Sequence, residues 1–176
     1  MANNVKYKIL SWNVRGMNSM TKRYKILSQL NRRGVHIALL QETHITLKEG
    51  QALQKRWRGQ LYYTTYSAFA RGTLIWVRHG VPFLQQSSLV DPEGRYVAIS
   101  GQLAGRDIAL LSIYAPNIEQ MMFLESLSAK LSEYLQKPIL VGGDFNCVAD
   151  VTLDRSHPPL RDSPTNRTAR SLRMAD

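Results

Sequence analysis

The first sixty residues alternate between short apolar runs and amphipathic stretches. Residues 7–13 alternate apolar and polar side chains, which predicts a strand. Residues 21–33 carry apolar side chains at helical spacing, and Gly34 follows as a helix stop. The apolar run 35–40 has the length of a buried strand, and the pattern at 46–58 predicts a polar helix.

The middle of the chain is rich in β-branched and aromatic residues, which favours strands. Two strands are predicted at 62–67 and 72–78, and a second pair at 95–102 and 107–115. Gly105 lies between the members of the second pair, so these two strands are predicted to form a hairpin.

One amphipathic helix is predicted after the hairpin. Asn117 and Gln120 have the spacing of a capping box, which predicts that the helix begins there. Its predicted buried stripe consists of Met121, Leu124, Leu127, Leu131 and Leu135. Residues 138–141 are predicted as the last clear strand. Residues 151–176, with three prolines and few large apolar side chains, are predicted to be mostly loop, with at most a short helix at 169–174.

These elements predict an α/β fold with a single domain over residues 1–176. Many strands with a few interspersed helices indicate a sandwich in which sheets pack together beneath flanking helices. The length is that of one domain with its own core. The single cysteine, Cys147, excludes an intramolecular disulfide framework and fits a reducing, intracellular compartment. No signal peptide is visible, and no apolar run approaches the ~18 residues of a membrane span.

The charge of the chain favours an anionic partner. There are 23 Lys and Arg against 13 Asp and Glu, a formal net charge of +10. Residues 1–41 contain no acidic residue, and the first is Glu42. Such a surface attracts nucleic acid or an anionic membrane. No segment has the pattern of a membrane-surface helix, so we expect DNA as partner and no membrane. A merely solubilising cationic face is the alternative.

Polar side chains stand at the ends of four predicted strands. They are Asn13, Glu42, Tyr114, Asp144 and Asn146. Strand ends can bring residues from distant positions around one point. Two carboxylates and two amides supply oxygen ligands, which suit Mg²⁺ or Mn²⁺ rather than zinc. On a basic protein, the phosphate that completes the shell of such a metal would come from nucleic acid.

Each of these residues also has a purely structural explanation. Asn13 can simply end a strand and begin a turn, and Glu42 can be a solvated strand end. Tyr114 can be an exposed aromatic. Asp144 and Asn146, separated by one residue, would project to the same side of an extended strand, which suits a shared site and also occurs by chance. The combination, rather than any single residue, points to a site.

Four short segments carry a resemblance to a known family. They are residues 10–16 (LSWNVRG), 40–44 (LQETH), 113–117 (IYAPN) and 143–146 (GDFN). Their order and spacing resemble the endonuclease/exonuclease/phosphatase superfamily. The QETH segment, the basic N-terminal part and residues 70–72 before a strand are similar to the apurinic-endonuclease-like domain that begins the polyprotein of LINE-type non-LTR retrotransposons.

The resemblance implies a four-layer α/β/β/α sandwich and a phosphodiesterase that depends on Mg²⁺ or Mn²⁺. Carried over motif by motif, Asn13 and Glu42 would hold the metal. Asp144 would orient or deprotonate the attacking water, Asn146 would position the phosphate, and Tyr114 would hydrogen-bond the phosphate or assist the leaving group. Nucleic-acid contacts are expected from Arg15, Lys22, Arg23 and Asn117.

The sequence departs from the family pattern in one respect. Members carry a further site Asp and a terminal Asp-His pair, usually within Ser-Asp-His, and the 176 residues contain no such motif. His157 does not match it, and His44 is expected to be a structural neighbour of the metal site. We therefore expect an incomplete domain that lacks its last strands and has impaired activity, because losing such a group lowers a rate by about 10²–10⁴.

The favoured function is a nuclear endonuclease that nicks target DNA for retrotransposition, with a reverse transcriptase downstream in a longer polyprotein. One alternative is an abasic-site repair endonuclease or exodeoxyribonuclease of the same superfamily. A second is a phosphatase or lipid phosphodiesterase. A third is a non-catalytic remnant that keeps only the basic DNA-binding face.

Overall fold

Two four-stranded sheets form the framework of the chain. The structure is a computed structural model, and it describes residues 6–147. The first sheet has the order β1-β2-β4-β3. Its strands are β1 (Ile9–Asn13), β2 (Ile37–Gln41), β3 (Gly59–Tyr63) and β4 (Thr73–Arg78). β1 and β2 run parallel, and β4 runs antiparallel to both of its neighbours. The carboxyl ends of β1 and β2 therefore meet at one edge.

The second sheet has the order β5-β6-β7-β8. Its strands are β5 (Phe83–Val90), β6 (Tyr96–Leu103), β7 (Arg106–Tyr114) and β8 (Ile139–Asp144). β6 and β7 form the predicted hairpin, and β7 and β8 run parallel, with Tyr114 opposite Asp144 in the register. This sheet also brings two carboxyl ends to one edge.

Within the described part of the chain, three helices flank the sheets. They are α1 (Met20–Arg32), α2 (Leu47–Arg56) and α3 (Gln120–Lys130), and a short 3₁₀ turn (Tyr134–Gln136) follows α3. Ser19 caps α1, because its side chain accepts a hydrogen bond from the amide of Lys22. α2 begins with a complete capping box between Thr46 and Glu49. No helix within residues 6–147 is long and apolar enough to cross a bilayer.

Three separate apolar cores define the layers. The first lies between the helices α1 and α2 and the outer face of the first sheet, and it includes Ile26, Leu30, Leu53, Leu40 and Trp76. The second lies between the sheets and includes Leu39, Ile75, Val97, Ile99 and Leu110. The third lies under α3 and includes Ala98, Leu111, Ile113, Leu127 and Leu131. The fold is therefore a mixed α/β sandwich with the layer order α/β/β/α, as the sequence predicted.

Several local predictions were wrong in detail. The strand predicted at 62–67 lies at Gly59–Tyr63. The amide of Thr64 still donates a hydrogen bond to the Thr73 carbonyl, and after it the chain leaves the sheet. β5 was not predicted, since its exposed, mostly polar run has no apolar alternation. The predicted loop and short helix in 151–176 lie outside the described residues, and the absence of closing strands stays a prediction.

The start and end of α3 also differ from the prediction. Asn117 does not cap this helix. The N-cap is Glu119, which is left-handed with φ 57° and makes no side-chain cap bond. The helix ends at Lys130, so the predicted stripe breaks there: Leu127 and Leu131 are buried, whereas Leu135 is half exposed. Apolar spacing alone does not show where a helix stops.

Candidate active site

The carboxyl ends of β1, β2, β7 and β8 converge on one side of the sandwich. Asn13 ends β1 and pairs with Gln41, which immediately precedes Glu42. Tyr114 ends β7 and pairs with Asp144 at the end of β8. Contacts between β1 and β8 close the gap between the two sheets. Residues more than a hundred positions apart are therefore brought to a single point.

Asn13 joins the two carboxylates of this site. Its amide nitrogen Nδ2 donates to Oε1 of Glu42 and to Oδ2 of Asp144, each at 2.8 Å. The two carboxylate oxygens can therefore be no farther apart than twice that distance. The amide oxygen Oδ1 accepts the backbone N–H of Arg15 at 3.0 Å, which fixes the orientation of the amide. Asn13 is thus the link between the two sheets at the site.

The backbone around Glu42 is unusually bent. Arg15, Glu42 and His44 all have positive φ, at 48°, 51° and 52°. Left-handed non-glycine residues are uncommon and are retained where the surroundings hold them. Here the Gly16 amide donates to the Glu42 carbonyl at 2.6 Å, and the Met17 amide donates to the Thr43 carbonyl at 2.8 Å. The turn after β1 therefore holds the segment that carries Glu42.

Tyr114 is kept in its protonated form. Burial raises the pKa of its phenol, and the negative charge of Glu42 raises it further. The Arg95 guanidinium lies 5.3 Å from the centre of the Tyr114 ring and acts in the opposite direction. Arg95 was not predicted as a site residue. In the sequence it only begins a predicted strand, and nothing in its neighbourhood there indicates a contact with Tyr114.

Asn146 lies beside Asp144, but the two side chains do not project from one face of an extended strand as predicted. The strand ends at Asp144 and Asn146 is left-handed, with φ 50°, so the two residues do not share one face of an extended strand. Instead, the backbone N–H of Asn146 donates to Oδ1 of Asp144 at 3.1 Å, and its Nδ2 donates to the Ala115 carbonyl at 2.6 Å. Gln120 donates to the Asn146 carbonyl at 3.1 Å, which ties this turn to the start of α3.

Two further titratable side chains border the site. Nε2 of His44 lies 3.7 Å from Oε2 of Glu42. Burial lowers the pKa of His44, with Glu42 opposing that effect and Lys22 adding to it. Burial and the nearby Asp144 raise the pKa of the Cys147 thiol. Both groups are therefore held in their neutral forms at neutral pH.

A buried polar network beneath the site was not predicted. Gln41 is buried, and its Nε2 donates to the Leu39 carbonyl at 3.0 Å and to Oγ of Ser112 at 3.1 Å. Ser112 lies on the second sheet, so this contact fixes one sheet against the other just below Glu42. A buried, satisfied network of this kind specifies a single arrangement. The only sequence signal was a glutamine at the end of an otherwise apolar strand.

The four residues predicted to bind nucleic acid lie in different environments. Arg15 is exposed directly beside Asn13, and Asn117 is exposed just before α3. Nζ of Lys22 donates to the Arg15 carbonyl at 2.6 Å. The guanidinium of Arg23 donates to two backbone carbonyls and pairs with Glu49. Among the three cations Arg15, Lys22 and Arg23, Arg15 is therefore the one next to the site whose side chain is exposed and not engaged by the contacts above. The assignment of all four residues to nucleic-acid binding stays a prediction.

An aromatic loop between β3 and β4 lies next to the same edge. Phe69 is 87% exposed, and the Arg71 guanidinium stacks 4.1 Å above the Tyr66 ring. The loop is ordered by Ser67, whose Oγ accepts the amides of Phe69 and Ala70. It adjoins the site because the His44 amide donates to the Arg71 carbonyl at 3.0 Å.

The donor set fits a hard divalent cation. Asn13, Glu42 and Asp144 carry amide and carboxylate oxygens, the ligands that hard divalent cations prefer, and it is the amide nitrogen of Asn13 that faces both carboxylates here. In residues 6–147, no group of three or more His, Cys, Asp and Glu side chains is arranged to hold a metal. Mg²⁺ needs no such cage, because it is bound through one or two carboxylates and keeps several waters.

The described residues form a two-sheet α/β/β/α sandwich with polar side chains at the strand ends of one edge, and a sequence comparison gives the family. Residues 10–173 match the Endonuclease/Exonuclease/phosphatase family, and the chain belongs to that family.

Two curated relatives are similar in sequence over most of the chain. An uncharacterized 149 kDa protein of transposon TX1 from Xenopus laevis is 29% identical over 160 residues, which cover 88% of this chain and 12% of that protein. An exodeoxyribonuclease from Bacillus subtilis is 26% identical over 168 residues, which cover 86% of this chain and 62% of that protein. The chain therefore spans less than two thirds of either relative.

A solved structure is similar in fold. The endonuclease domain of TRAS1, a telomere-specific non-LTR retrotransposon, superposes with a TM-score of 0.65 at 16% identity, covering 96% of this chain and 70% of that one. At this identity the likeness concerns the fold alone.

Proposed function

We propose that this chain is a Mg²⁺-dependent DNA endonuclease that nicks one strand of a target duplex. The observation that carries the proposal is the Asn13 amide bridging Glu42 and Asp144 at the junction of the two sheets. The transposon TX1 relative and the fold shared with the TRAS1 retrotransposon endonuclease domain support DNA as substrate and retrotransposition as context. The proposal includes a nuclear site of action and a reverse transcriptase in the longer polyprotein.

Asn13 and Glu42 would hold the metal. Bound Mg²⁺ would polarise a phosphoryl oxygen and stabilise the charge that develops on it. Asp144 would orient a water and take its proton, and the hydrogen bonds that Asn13 and the Asn146 amide donate to its two oxygens support this role. A fixed carboxylate is what general-base catalysis requires.

Asn146 and Tyr114 would act on the phosphate. One N–H of the Asn146 side chain is used by the Ala115 carbonyl, which leaves the second N–H for a phosphate oxygen. The raised pKa of Tyr114 keeps its hydroxyl protonated at neutral pH, so it can donate to a phosphate or to the leaving oxygen. Preorganised donors of this kind typically contribute about 10²–10³ in rate.

Nicking of supercoiled plasmid tests the proposal. The assay uses enzyme in excess and long incubation, so that slow nicking is also detected. We expect nicking in Mg²⁺, none in EDTA, and none with Asp144→Asn although that variant still binds DNA. Glu125→Gln, an exposed change on α3, is the matched control and should nick normally.

Two results would overturn the proposal. Nicking that survives EDTA or Asp144→Asn would mean that the activity comes from elsewhere. Salt-sensitive DNA binding with no nicking at any time would favour a non-catalytic DNA-binding remnant.

Abasic-site cleavage is the second candidate, and the similarity to the Bacillus subtilis exodeoxyribonuclease favours it. A labelled duplex with one abasic site, compared with the intact duplex, separates the two functions. A strong preference for the abasic duplex would support repair, and equal cleavage would support target nicking.

A further inference from the structure

The half of the molecule that contains the first sheet has a strongly asymmetric charge. Residues 6–78, which form β1–β4 and the helices α1 and α2, contain 14 Lys and Arg but only two acids, Glu42 and Glu49. Glu42 lies in the candidate active site. Glu49 lies in the first turn of α2, where it pairs with Arg23.

The strand register places Arg58 and Arg78 at the opposite end of this sheet. Thr73 at the start of β4 pairs with Gln41 beside the site, whereas Val77 pairs with Ile37 at the far end of β2. Arg78 ends β4 and pairs with Gly59, the residue after Arg58. A strand rises about 3.3 Å per residue, so Arg78 lies roughly 15–20 Å from the active-site edge.

A cavity of about 400 Å³ opens at this far end, between the end of α1 and the edge of the sheet. We call it the distal basic cavity, and its polar and aromatic lining consists of Asn31, Arg56, Arg58, Trp76, Arg78 and His79. None of these residues is acidic. In the described part of the chain, none of its arginines forms an ion pair with a carboxylate.

The cavity wall is held in place by specific contacts. Nη2 of Arg78 donates to Oδ1 of Asn31 at 2.8 Å, which ties the end of β4 to the last turn of α1. Nε1 of Trp76 donates to the Arg58 carbonyl at 3.1 Å and fixes the backbone there. The Arg56 and Arg58 side chains are exposed. Fixed walls lower the ordering cost of binding, and exposed guanidinium groups suit bidentate contacts with phosphate.

We propose that the distal basic cavity is a second binding surface for the phosphate backbone of a polynucleotide, separate from the candidate active site. Unpaired arginines around a concave surface attract polyanions, and a repeating anionic backbone suits a cluster of several cations better than a single small anion does. The surface would hold a second segment of DNA, or an RNA, while the active-site edge holds the target. Binding there does not require cleavage.

The test is equilibrium binding in EDTA, where cleavage plays no part. The variant is R56E/R58E, which changes two exposed side chains and leaves the Arg78–Asn31 contact intact. The matched control is R106E/K130E, which makes the same charge change at exposed positions of the second-sheet half. The ligands are a DNA duplex and a single-stranded RNA of equal length, and the affinity is measured over a range of salt concentrations.

We expect R56E/R58E to weaken polynucleotide binding by about tenfold or more and to reduce the salt slope by about 2 on duplex DNA, because two phosphate contacts are lost. The control should change the slope by less than about 0.5. The polynucleotide, DNA or RNA, whose affinity falls more in R56E/R58E is identified as the natural ligand. Circular dichroism checks that both variants are folded.

Equal losses in the two variants would overturn the proposal, because they would reflect net charge alone. An unchanged affinity in R56E/R58E would also overturn it. So would unchanged binding of both polynucleotides together with weaker co-sedimentation of R56E/R58E with vesicles of phosphatidylserine and phosphatidylcholine, measured in parallel, which would indicate a membrane contact. Failure of the nicking assay would leave these binding results unaffected, so the two proposals fail separately.

Discussion

Replacing Asn13 by aspartate tests whether one amide holds the two carboxylates of the site together. In the native chain, Nδ2 of Asn13 donates to Glu42 and to Asp144, both at 2.8 Å. The Asn13→Asp change puts an oxygen at that position without altering the shape of the side chain. Two attractive contacts then become contacts between like charges.

The expected loss of stability follows from these contacts. A hydrogen bond to a charged group contributes about 1.5–3 kcal/mol, and partial exposure of this site lowers that to about 1 kcal/mol for each bond. The added repulsion is worth about 1 kcal/mol even at the dielectric constant of water, for charges about 4 Å apart. We therefore expect Asn13→Asp to lower the free energy of unfolding by about 3 kcal/mol at pH 8.

The pH dependence separates repulsion from lost hydrogen bonds. The introduced carboxyl is harder to ionise in the folded chain, so its pKa there lies above its unfolded value of about 3.9. The repulsive penalty is complete above the folded pKa. It is relieved as the pH falls through that value and disappears below the unfolded pKa. Asn13→Ala loses the bonds without adding a charge and should show no such recovery.

The assay is urea unfolding in EDTA at pH 8 and pH 4 for the native chain and both Asn13 variants, because a repulsion of about 1 kcal/mol raises the pKa by less than about one unit and is relieved only below pH 5. A free energy of unfolding for Asn13→Asp within about 0.5 kcal/mol of the native value at pH 8 would refute the bridging role of Asn13.

Three further changes test other parts of the account. Gly143→Ala would put a Cβ 2.2 Å from the Ile113 carbonyl oxygen, so we expect a loss of about 1–3 kcal/mol in urea unfolding, and native stability would contradict this packing. Tyr114→Phe removes the active-site hydroxyl, so the rate of single-turnover nicking should fall about 10–100-fold. The free energy of unfolding should change by less than about 1 kcal/mol. An unchanged rate would exclude the phenol from the reaction. Burial acts to raise the pKa of Glu49, but hydrogen bonds from its helix cap and from Arg23 lower it below 4.5. The stability that the ionised Glu49 contributes through these hydrogen bonds is present above pH 4.5 and is lost as the pH falls through the lowered pKa. Glu49→Gln should therefore weaken the acid sensitivity of thermal unfolding. An identical pH profile in the variant would contradict these contacts of the Glu49 carboxylate.

The regular part of the fold could be predicted because burial repeats along the chain. β2 is an uninterrupted buried run, and α1 has a capping serine, helical apolar spacing and Gly34 with φ 63° after its end. β5 could not be predicted, because five consecutive exposed residues in an edge strand leave no apolar alternation. Periodicity predicts strands that bury a face, and it misses strands held mainly by backbone pairing.

The candidate site was predictable by residue type but not by arrangement. Asn13, Glu42 and Asp144 stand where strands end, and their chemistry is visible in the sequence. That Asn13 bridges the other two depends on the packing of two sheets, which no local pattern encodes. Arg95 was missed for the same reason, since its place beside the Tyr114 ring comes from the neighbouring strands.

The measurement that tests the central claim most directly is Mn²⁺ binding followed by electron paramagnetic resonance, because it does not depend on turnover. The account predicts one Mn²⁺ site in the native chain, weakened at least about tenfold by Glu42→Gln and unaffected by the exposed control Glu125→Gln. Equal binding by the native chain and Glu42→Gln would contradict the assignment of the metal site and, with it, the proposed chemistry.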